Sequence, residues 1–188
     1  MLHLRYENKL DKQVTDSIDA FVINGTYNEF NKQGLLHSHL YSPKMVHLQL
    51  HNSAVFLQPR ILLYSTERIP WYIRAKHAKS FDGENKVFLW DDVHLHQPAY
   101  LQHPETTIKT QTSTVYPKLS IATGTQFVTI IRPGTVIKGK GYKANLKIGE
   151  YTLLSQSHGV YKATKSTTFN QENHEEKTNN NKLTVAPY

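Results

Sequence analysis

The clearest pattern in the chain is an alternation of apolar and polar residues on both sides of Asp82-Gly83. The segment 71–79 alternates before this dipeptide, and the segment 87–95 alternates after it. Alternation at period two is typical of half-buried strands, and Asp-Gly is a common hairpin turn. The pattern therefore predicts a β-hairpin with one apolar face, which carries Trp71, Ile73, Ala75, Val87, Leu89, Val93 and Leu95.

Similar short segments follow one another along most of the chain, and no helical periodicity interrupts them. Turn-forming pairs such as Asn24-Gly25 and Pro133-Gly134 separate them at short intervals. Many short amphipathic strands bury their apolar faces by packing together, so the sequence predicts an all-β sandwich or open barrel. The segment 142–154 is predicted to be one of these strands, with an apolar face made of Tyr142, Ala144, Leu146 and Ile148.

Length and polarity divide the chain into one domain and two polar ends. A chain of 188 residues is long enough for one sizeable core. Residues 1–18 are polar and are expected to form a flexible lead, whereas residues 19–163 are expected to form the β domain. Residues 164–188 are too polar to join a core, so we expect them to form a disordered tail.

The positive charge is concentrated on the predicted domain. The chain has 22 basic and 15 acidic side chains, which gives a net charge of +7. Within residues 165–188, three lysines balance three glutamates, so the whole excess lies in residues 1–164. A basic domain can attract nucleic acid, an anionic membrane surface or the phosphates of a glycolipid.

Several classes of protein are excluded by what the sequence lacks. The absence of cysteine excludes disulfide frameworks, thiolate nucleophiles and cysteine-ligated zinc. No run reaches the roughly 18 consecutive apolar residues of a membrane helix, and the first residues do not resemble a secretory signal. The chain also has no nucleophile elbow, phosphate loop or metalloprotease motif, so we predict neither an enzyme nor a cofactor.

His94 and His96 offer an alternative interpretation as a metal site. On a strand, both imidazoles and the carboxylate of Asp92 would lie on one face. The same face carries Phe88 and Trp90, and the spacing defines no further ligand. We therefore predict that no metal is bound there.

A series of short motifs resembles the LptC family, the periplasmic component of the lipopolysaccharide export machine. The motifs keep the order and spacing of the family from about Asp19 to Tyr161. No single motif is specific, but serial agreement over this length is hard to obtain by chance. They are the segments 19–24, 56–59, 127–130 and 153–155, Trp71-x-Ile73-x-Ala75-x-x-Ala78-Lys79, Pro133-Gly134, Gly139-x-Gly141 and Ala144-x-Leu146.

The resemblance implies an OstA-like open β-jellyroll, V-shaped and built of twisted antiparallel sheets. Its apolar interior would shield the acyl chains of lipopolysaccharide, and basic residues at the rim, such as Arg68, Arg74, Lys76 or Lys79, would stay near the sugars and phosphates. The interior residues expected to bind lipid are Phe56, Trp71, Ile73, Val87, Leu89, Val93, Leu95, Tyr142, Ala144, Leu146 and Ile148.

The residues alone leave open whether such an interior is a groove or a filled core. In small sandwiches the inward side chains normally fill the space completely. The mixture of bulky and small inward residues is compatible with either arrangement. In the segment 127–130, either Phe127 with Thr129 or Val128 with Ile130 could point inward.

The resemblance further implies that unpaired sheet edges join related jellyrolls by strand addition. The edge at residues 19–24 would meet LptF, which acts with LptG and LptB in an ABC transporter. The edge at residues 142–154 would meet LptA. The residues assigned to these edges, or to a turn near them, are Phe21, Ile23, Gly134, Leu153 and Leu154.

These implications define the expected function and location. The chain would receive lipopolysaccharide from the inner-membrane ABC transporter and pass it to the periplasmic bridge protein during outer-membrane assembly in a Gram-negative bacterium. LptC proteins lie at the periplasmic face of the inner membrane and carry one N-terminal membrane helix. Because no such helix is present here, we expect the anchor to have been removed and the remaining chain to be soluble.

Two other binding functions are compatible with the composition. Tyr72, Phe88 and Trp90 on strand faces could serve a nucleic-acid-binding module or a β-sandwich carbohydrate-binding module. The first would bind in a salt-sensitive manner, and the second would need no acyl chains. Neither accounts for the series of motifs, so we expect no nucleic-acid partner.

Overall fold

The computed structural model describes residues 18–49, 52–64, 69–83, 85–101, 103–161 and 184–185. The predicted lead and tail therefore lie outside the described residues, except for Ile18 and Thr184–Val185. The strands are β1 (Ile18–Phe30), β2 (Leu36–Leu48), β3 (Ser53–Leu57), β4 (Arg60–Tyr64), β5 (Pro70–Arg74), β6 (His77–Phe81), β7 (Lys86–Gln97), β8 (Thr106–Tyr116), β9 (Ile121–Arg132), β10 (Thr135–Asn145), β11 (Glu150–Tyr161) and β12 (Thr184–Val185).

All of these strands belong to one antiparallel sheet. We call a strand, or two strands that lie end to end beside the same neighbour, a row of the sheet, and the rows follow one another in the order of the sequence. Strands β3 and β4 lie in line along β2, and β5 and β6 lie in line along β7. The order of rows is thus β1, β2, β3 with β4, β5 with β6, β7, β8, β9, β10, β11 and β12. This meander, built of successive hairpins, confirms the predicted all-β fold.

A crease runs across the middle of the sheet. It passes between β3 and β4, between β5 and β6, and through register shifts in β7, β8, β9, β10 and β11. In β7 the shift contains Asp91 and Asp92, which both have left-handed backbone conformations. Bulges of this kind bend strands, and bulges that line up in neighbouring strands divide the sheet into two halves.

Hydroxyl groups along the crease replace hydrogen bonds that the strand ladders lose there. Ser42 Oγ donates to the carbonyl oxygen of Leu57 at 2.6 Å, and Thr110 Oγ1 donates to that of Phe127 at 2.9 Å. Ser42 is completely buried. Each of these bonds gives a carbonyl a partner where the ladder is interrupted, so the hydroxyls stabilise the bent sheet.

The two halves of the sheet face each other across the core. One continuous row of buried side chains crosses seven strands of one half and consists of Leu40, Ile61, Ile73, Leu95, Ile108, Ile130 and Ile137. The indole nitrogen of Trp71, in the same half, donates to the carbonyl oxygen of Leu146, which follows β10 in the other half, at 2.8 Å. The result is an open β-jellyroll, as predicted.

The hairpin at Asp82-Gly83 is confirmed for β6 and β7, but the predicted strand over residues 71–79 is divided into β5 and β6 at the crease. Asp82 and Gly83 have positive φ angles of 53° and 67° in the connection between β6 and β7, a conformation that glycine adopts without a steric penalty. On β9, Val128 and Ile130 are buried, whereas Phe127 is 71% exposed. Val128 and Ile130 therefore point inward, which resolves the choice between the two faces of segment 127–130 that the sequence left open.

The prediction of one strand over residues 142–154 is wrong. Strand β10 ends at Asn145, a turn follows, and β11 begins at Glu150. Asn145 Oδ1 accepts a hydrogen bond from the backbone nitrogen of Lys147, and Gly149 takes a positive φ of 73°. The turn carries Ile148 outward, where it is 43% exposed, so its assignment to the interior is also wrong.

Candidate functional site

Most of the predicted interior residues form a packed core rather than the wall of a groove. Trp71, Leu89 and Leu95 are among the largest side chains that are almost completely buried. They belong to one contiguous cluster of buried hydrophobic residues. The cluster also contains Phe56, Ile73, Val87, Val93, Tyr142, Ala144 and Leu146, so the structure brings together every predicted interior residue except Ile148.

An open trough of about 510 Å³ lies beside this core, where strands β1, β2, β3 and β6 and the beginning of β7 meet. Of the predicted interior residues, Phe56 and Val87 line it. The other apolar residues of its wall are Ala20, Phe21, Val22, Tyr27, Leu40, Met45 and Ala54. Sequence reasoning did not assign these seven residues to the interior, because they reach the trough through the pairing of β1 with β2 and of β2 with β3.

The register fixes which side chains of β2 and β3 face the trough. Met45 pairs with Val22 on one side and with Phe56 on the other, and all three line the trough. The next pair along these strands, Val46 and Val55, lies on the opposite face of the sheet. Adjacent residues such as Met45 and Val46 therefore lie on the inner and the outer face of the sheet, respectively.

A polar group stands at one end of the trough. His47 Nδ1 lies 2.6 Å from Asp19 Oδ1, and His47 Nε2 lies 3.0 Å from Asn52 Oδ1. The hydrogen bonds to Asn52 and Asp19 raise the pKa of His47, because a protonated imidazole can donate to both oxygens. Protonation of this histidine is thus favoured at the trough, whose lining also includes the polar residues Glu29, Ser80, Asp82 and Lys118.

The N-terminal edge of the sheet is β1, which pairs along its length with β2 and with no other strand in the described ranges. The predicted edge residues Phe21 and Ile23 lie on it and are exposed. Ile18, Tyr27 and Phe30 are exposed on the same strand. Strand β1 therefore presents unpaired backbone groups next to apolar side chains, and it also forms one wall of the trough.

The C-terminal edge differs from the prediction. Strand β10 pairs with β9 on one side and β11 on the other, so residues 142–145 are not at an edge. The short strand β12 covers Tyr151 and Thr152 of β11. Beyond Thr152, no further strand pairs with β11 among the described residues, and Leu154 is exposed while Leu153 is buried.

The predicted turn at Pro133-Gly134 connects β9 to β10, and Gly134 takes a positive φ of 72°. Among the predicted rim residues, Arg74 pairs with Arg60 and His94 on the outer face, and Lys79 pairs with Val55 and Phe88. Neither lines the trough. Lys76 lies in the crease, and Arg68 lies outside the described residues.

The histidines of β7 have different neighbours, and His96 Nδ1 lies within hydrogen-bond distance of Thr107 Oγ1, at 3.1 Å. His94 Nε2 lies 2.8 Å from Asp92 Oδ1, whereas His96 Nδ1 lies 3.7 Å from Glu105 Oε1. The hydrogen bond from His94 is the main cause that lowers the pKa of Asp92. No group of three or more potential metal ligands occurs in the part of the chain that the structure describes.

Of the three aromatic residues considered for stacking, Phe88 and Trp90 are stacked on each other, whereas Tyr72 lies apart from them. The ring of Trp90 lies 5.6 Å from that of Phe88 and 5.5 Å from that of His77, measured between centroids. The indole of Trp90 therefore has two ring neighbours within the protein. None of the helices within the described ranges is long and apolar enough to cross a membrane.

Comparisons with known proteins identify the family. The model of the family described as lipopolysaccharide-assembly, LptC-related matches residues 2–162. No curated protein matches the chain. Among solved structures, the chain is similar to the crystal structure of LptH from Pseudomonas aeruginosa, described as the LptA-homologous periplasmic component of the conserved lipopolysaccharide transport device. That similarity has a TM-score of 0.44 and 10% identity, and it covers 88% of this chain and 92% of LptH.

The similarity to LptH is distant and carries no argument about the site. The family model, by contrast, spans most of the chain, including all strands from β1 to β11. The chain therefore belongs to the LptC-related family and has a role in lipopolysaccharide assembly.

Proposed function

We propose that the chain binds the acyl chains of lipopolysaccharide in the trough beside β1 and relays the lipid between neighbouring proteins of the export machine. The observation that carries this proposal is an open apolar trough whose wall is an unpaired edge strand. Its volume of about 510 Å³ falls in the range of about 300–1,000 Å³ that is usual for ligand sites.

Burial of acyl chains supplies the affinity. Each methylene group that leaves water for an apolar wall contributes about 0.8 kcal/mol. Val22, Met45 and Phe56 provide such a wall across three adjacent strands. The proposed site is smaller and nearer to β1 than the sequence predicted, because the rest of the interior is filled by side chains.

The two sheet edges supply the contacts with partners. Strand β1 would receive a strand of LptF, the partner that works with LptG and LptB. Residues 153–161 of β11 would receive a strand of LptA. Unpaired backbone groups on edge strands recruit other strands, and exposed Phe21, Ile23 and Leu154 add apolar contact area at these edges.

The chain acts as a passive conduit at the periplasmic face of the inner membrane, and it is not an enzyme. A binding trough sets affinities but cannot give a direction by itself. The direction of transport comes from the ATP cycle of the transporter. The membrane anchor of LptC proteins would keep the trough close to that transporter.

Site-specific photocrosslinking tests the lipid site. A photoreactive amino acid is placed at Met45 or Ala54, which face the trough, and at the adjacent Val46 or Val55, which face outward. Crosslinks to lipopolysaccharide from the inward pair alone would support the proposal. Equal crosslinking from both pairs, or none from the inward pair, would contradict it.

A further inference from the structure

The outer face of the sheet carries a second hollow, on the half that contains β2, β4, β5 and β7. Residues of these strands and of β8 surround a depression of about 680 Å³. Two rows of paired side chains cross it, one made of Tyr41, Arg60, Arg74 and His94, and the other made of His39, Leu62, Tyr72, His96 and Thr107.

The first row places two guanidinium groups next to each other, with a histidine and a lysine farther along it. Arg60 pairs directly with Arg74, Arg74 pairs with His94, and His94 pairs with Lys109 just beyond the depression. Like charges directly opposite each other on neighbouring strands are destabilising. The arrangement is therefore unfavourable for the sheet alone, and a bound anion would relieve it.

The carboxylate of Asp92 balances only part of this row. It lies 3.7 Å from Arg74 Nη1 and 2.8 Å from His94 Nε2. Within the described ranges Arg60 has no carboxylate partner, and the side chain of Arg74 is 59% exposed. Arg74 Nη2 also donates to His94 Nδ1 at 3.3 Å. The guanidinium of Arg60 and the exposed part of the Arg74 guanidinium remain available for an anion, and guanidinium matches the geometry of a phosphate with two parallel hydrogen bonds.

The second row supplies a flat, partly apolar floor beside these charges. Tyr72 is 48% exposed, and its ring lies 6.2 Å from that of His96. Leu62 adds apolar surface between His39 and Tyr72, with which it pairs. A tyrosine ring presents a large apolar surface, and a sugar ring can pack its C–H groups against such a surface while its hydroxyls bond to nearby imidazoles.

We propose that this depression binds a phosphorylated saccharide, with its phosphate on Arg60 and Arg74 and a sugar ring on Tyr72. The site lies on the opposite face of the sheet from the trough, so its existence does not depend on lipid binding there. Only the natural source of the saccharide, the phosphorylated sugars of lipopolysaccharide, rests on the proposed function.

The size of the hollow favours a saccharide over nucleic acid. The exposed tyrosine Tyr72 and the pair Arg60 and Arg74 lie together in one bounded depression. A strand of nucleic acid requires a longer groove in which several bases stack in succession. Binding of nucleic acid is therefore the competing outcome of the test.

The test is an NMR titration of the full chain, labelled with ¹⁵N, using a lipopolysaccharide oligosaccharide from which all acyl chains have been removed. We expect the largest amide shifts at Tyr72, Arg74 and His96. We also expect at least a tenfold loss of affinity in the double variant Arg60→Gln and Arg74→Gln. The control carries Lys138→Gln and Lys143→Gln, which remove the same charge from exposed positions outside the hollow.

Three further probes separate the possible sources of binding. The dephosphorylated oligosaccharide should bind at least tenfold more weakly, and inorganic phosphate alone should not reproduce the shift at Tyr72. Equal binding by both double variants, equal binding of inorganic phosphate, or tighter binding of single-stranded DNA at the same amides would overturn the proposal. Because the probe has no acyl chain, crosslinking from Met45 and Ala54 tests the trough separately.

Discussion

Trp71 and Leu146 lie 75 residues apart in the sequence, and a hydrogen bond of 2.8 Å joins the indole of one to the carbonyl of the other. Both residues are almost completely buried. They belong to opposite halves of the creased sheet, so this bond fixes the halves at one position in the core. It also connects the predicted hairpin to the turn that the sequence did not reveal.

Replacement of Trp71 by Phe should therefore destabilise the protein. The variant leaves the buried Leu146 carbonyl without its donor, which costs about 1–3 kcal/mol, and it adds a small cavity. Urea unfolding measures the loss. Trp90→Phe, on the outer face, is the matched control, and equal losses in both variants would show that the hydrogen bond contributes nothing.

Gly124→Ala should destabilise the sheet at the crease. A methyl group at this position would lie 2.6 Å from Cε1 of Tyr142 and 3.0 Å from the carbonyl oxygen of Thr112. Overpacking of this kind typically costs about 1–3 kcal/mol. Gly159→Ala is the control, because its new methyl group would approach other atoms no closer than 4.0 Å. Thermal melts should separate the two variants, and indistinguishable melting temperatures would contradict the expectation.

Stability should fall as pH rises from about 10 to 12, partly because of Tyr142. Burial raises the pKa of Tyr142 to about 12, although its hydrogen bond with Ser113 at 2.7 Å opposes this shift. A pKa raised by folding gives stability that is present below the unfolded pKa and is lost above it.

Two pKa units correspond to at most about 3 kcal/mol. Tyr142→Phe should flatten the decline between pH 10 and 12, measured by urea unfolding at several pH values. Burial raises the pKa of Tyr151 as well, so part of the decline should persist in the variant. An unchanged slope in Tyr142→Phe would refute the assignment.

Filling the trough should weaken lipid binding without unfolding the protein. Ala54→Trp places an indole in the trough, whereas Val55→Trp places the same group on the outer face. We expect at least a tenfold weaker affinity for lipopolysaccharide in Ala54→Trp alone, measured by displacement of a fluorescent lipopolysaccharide. A similar loss in both variants would point to an indirect effect on the fold.

Removal of residues 184–188 should expose the beginning of β11. Strand β12 pairs with Tyr151 and Thr152 of β11, so it occupies part of the edge proposed for LptA. Without β12, we expect several-fold tighter binding of LptA, measured by surface plasmon resonance. Weaker binding would show instead that β12 contributes to the contact.

The alternation of side chains was enough to predict strands, because burial of one face leaves a direct period-two signal. It predicted the hairpin at Asp82-Gly83 and the inward positions of Trp71 and Leu89. It failed at Ile148, because the turn after Asn145 continues the alternation by coincidence. Gly149 was the available signal for that turn, since glycine commonly marks a left-handed position.

The crease and the trough could not be predicted in the same way. The crease depends on left-handed Asp91 and Asp92 and on hydroxyls such as Ser42, and none of these residue types has a periodic signature. The trough depends on which residues of β1 and β3 lie beside Met45. Register is a property of paired strands, so a single segment does not contain it.

The order of the rows has a consequence for how the chain assembles during synthesis. Each strand from β2 to β11 pairs with the row that precedes it in the sequence. A chain that emerges with its N-terminus first can therefore pair each new strand with a strand that has already been made. Closure of the two halves must wait for Leu146, long after Trp71 has been made. Until then the nascent sheet exposes the apolar face that later becomes the core.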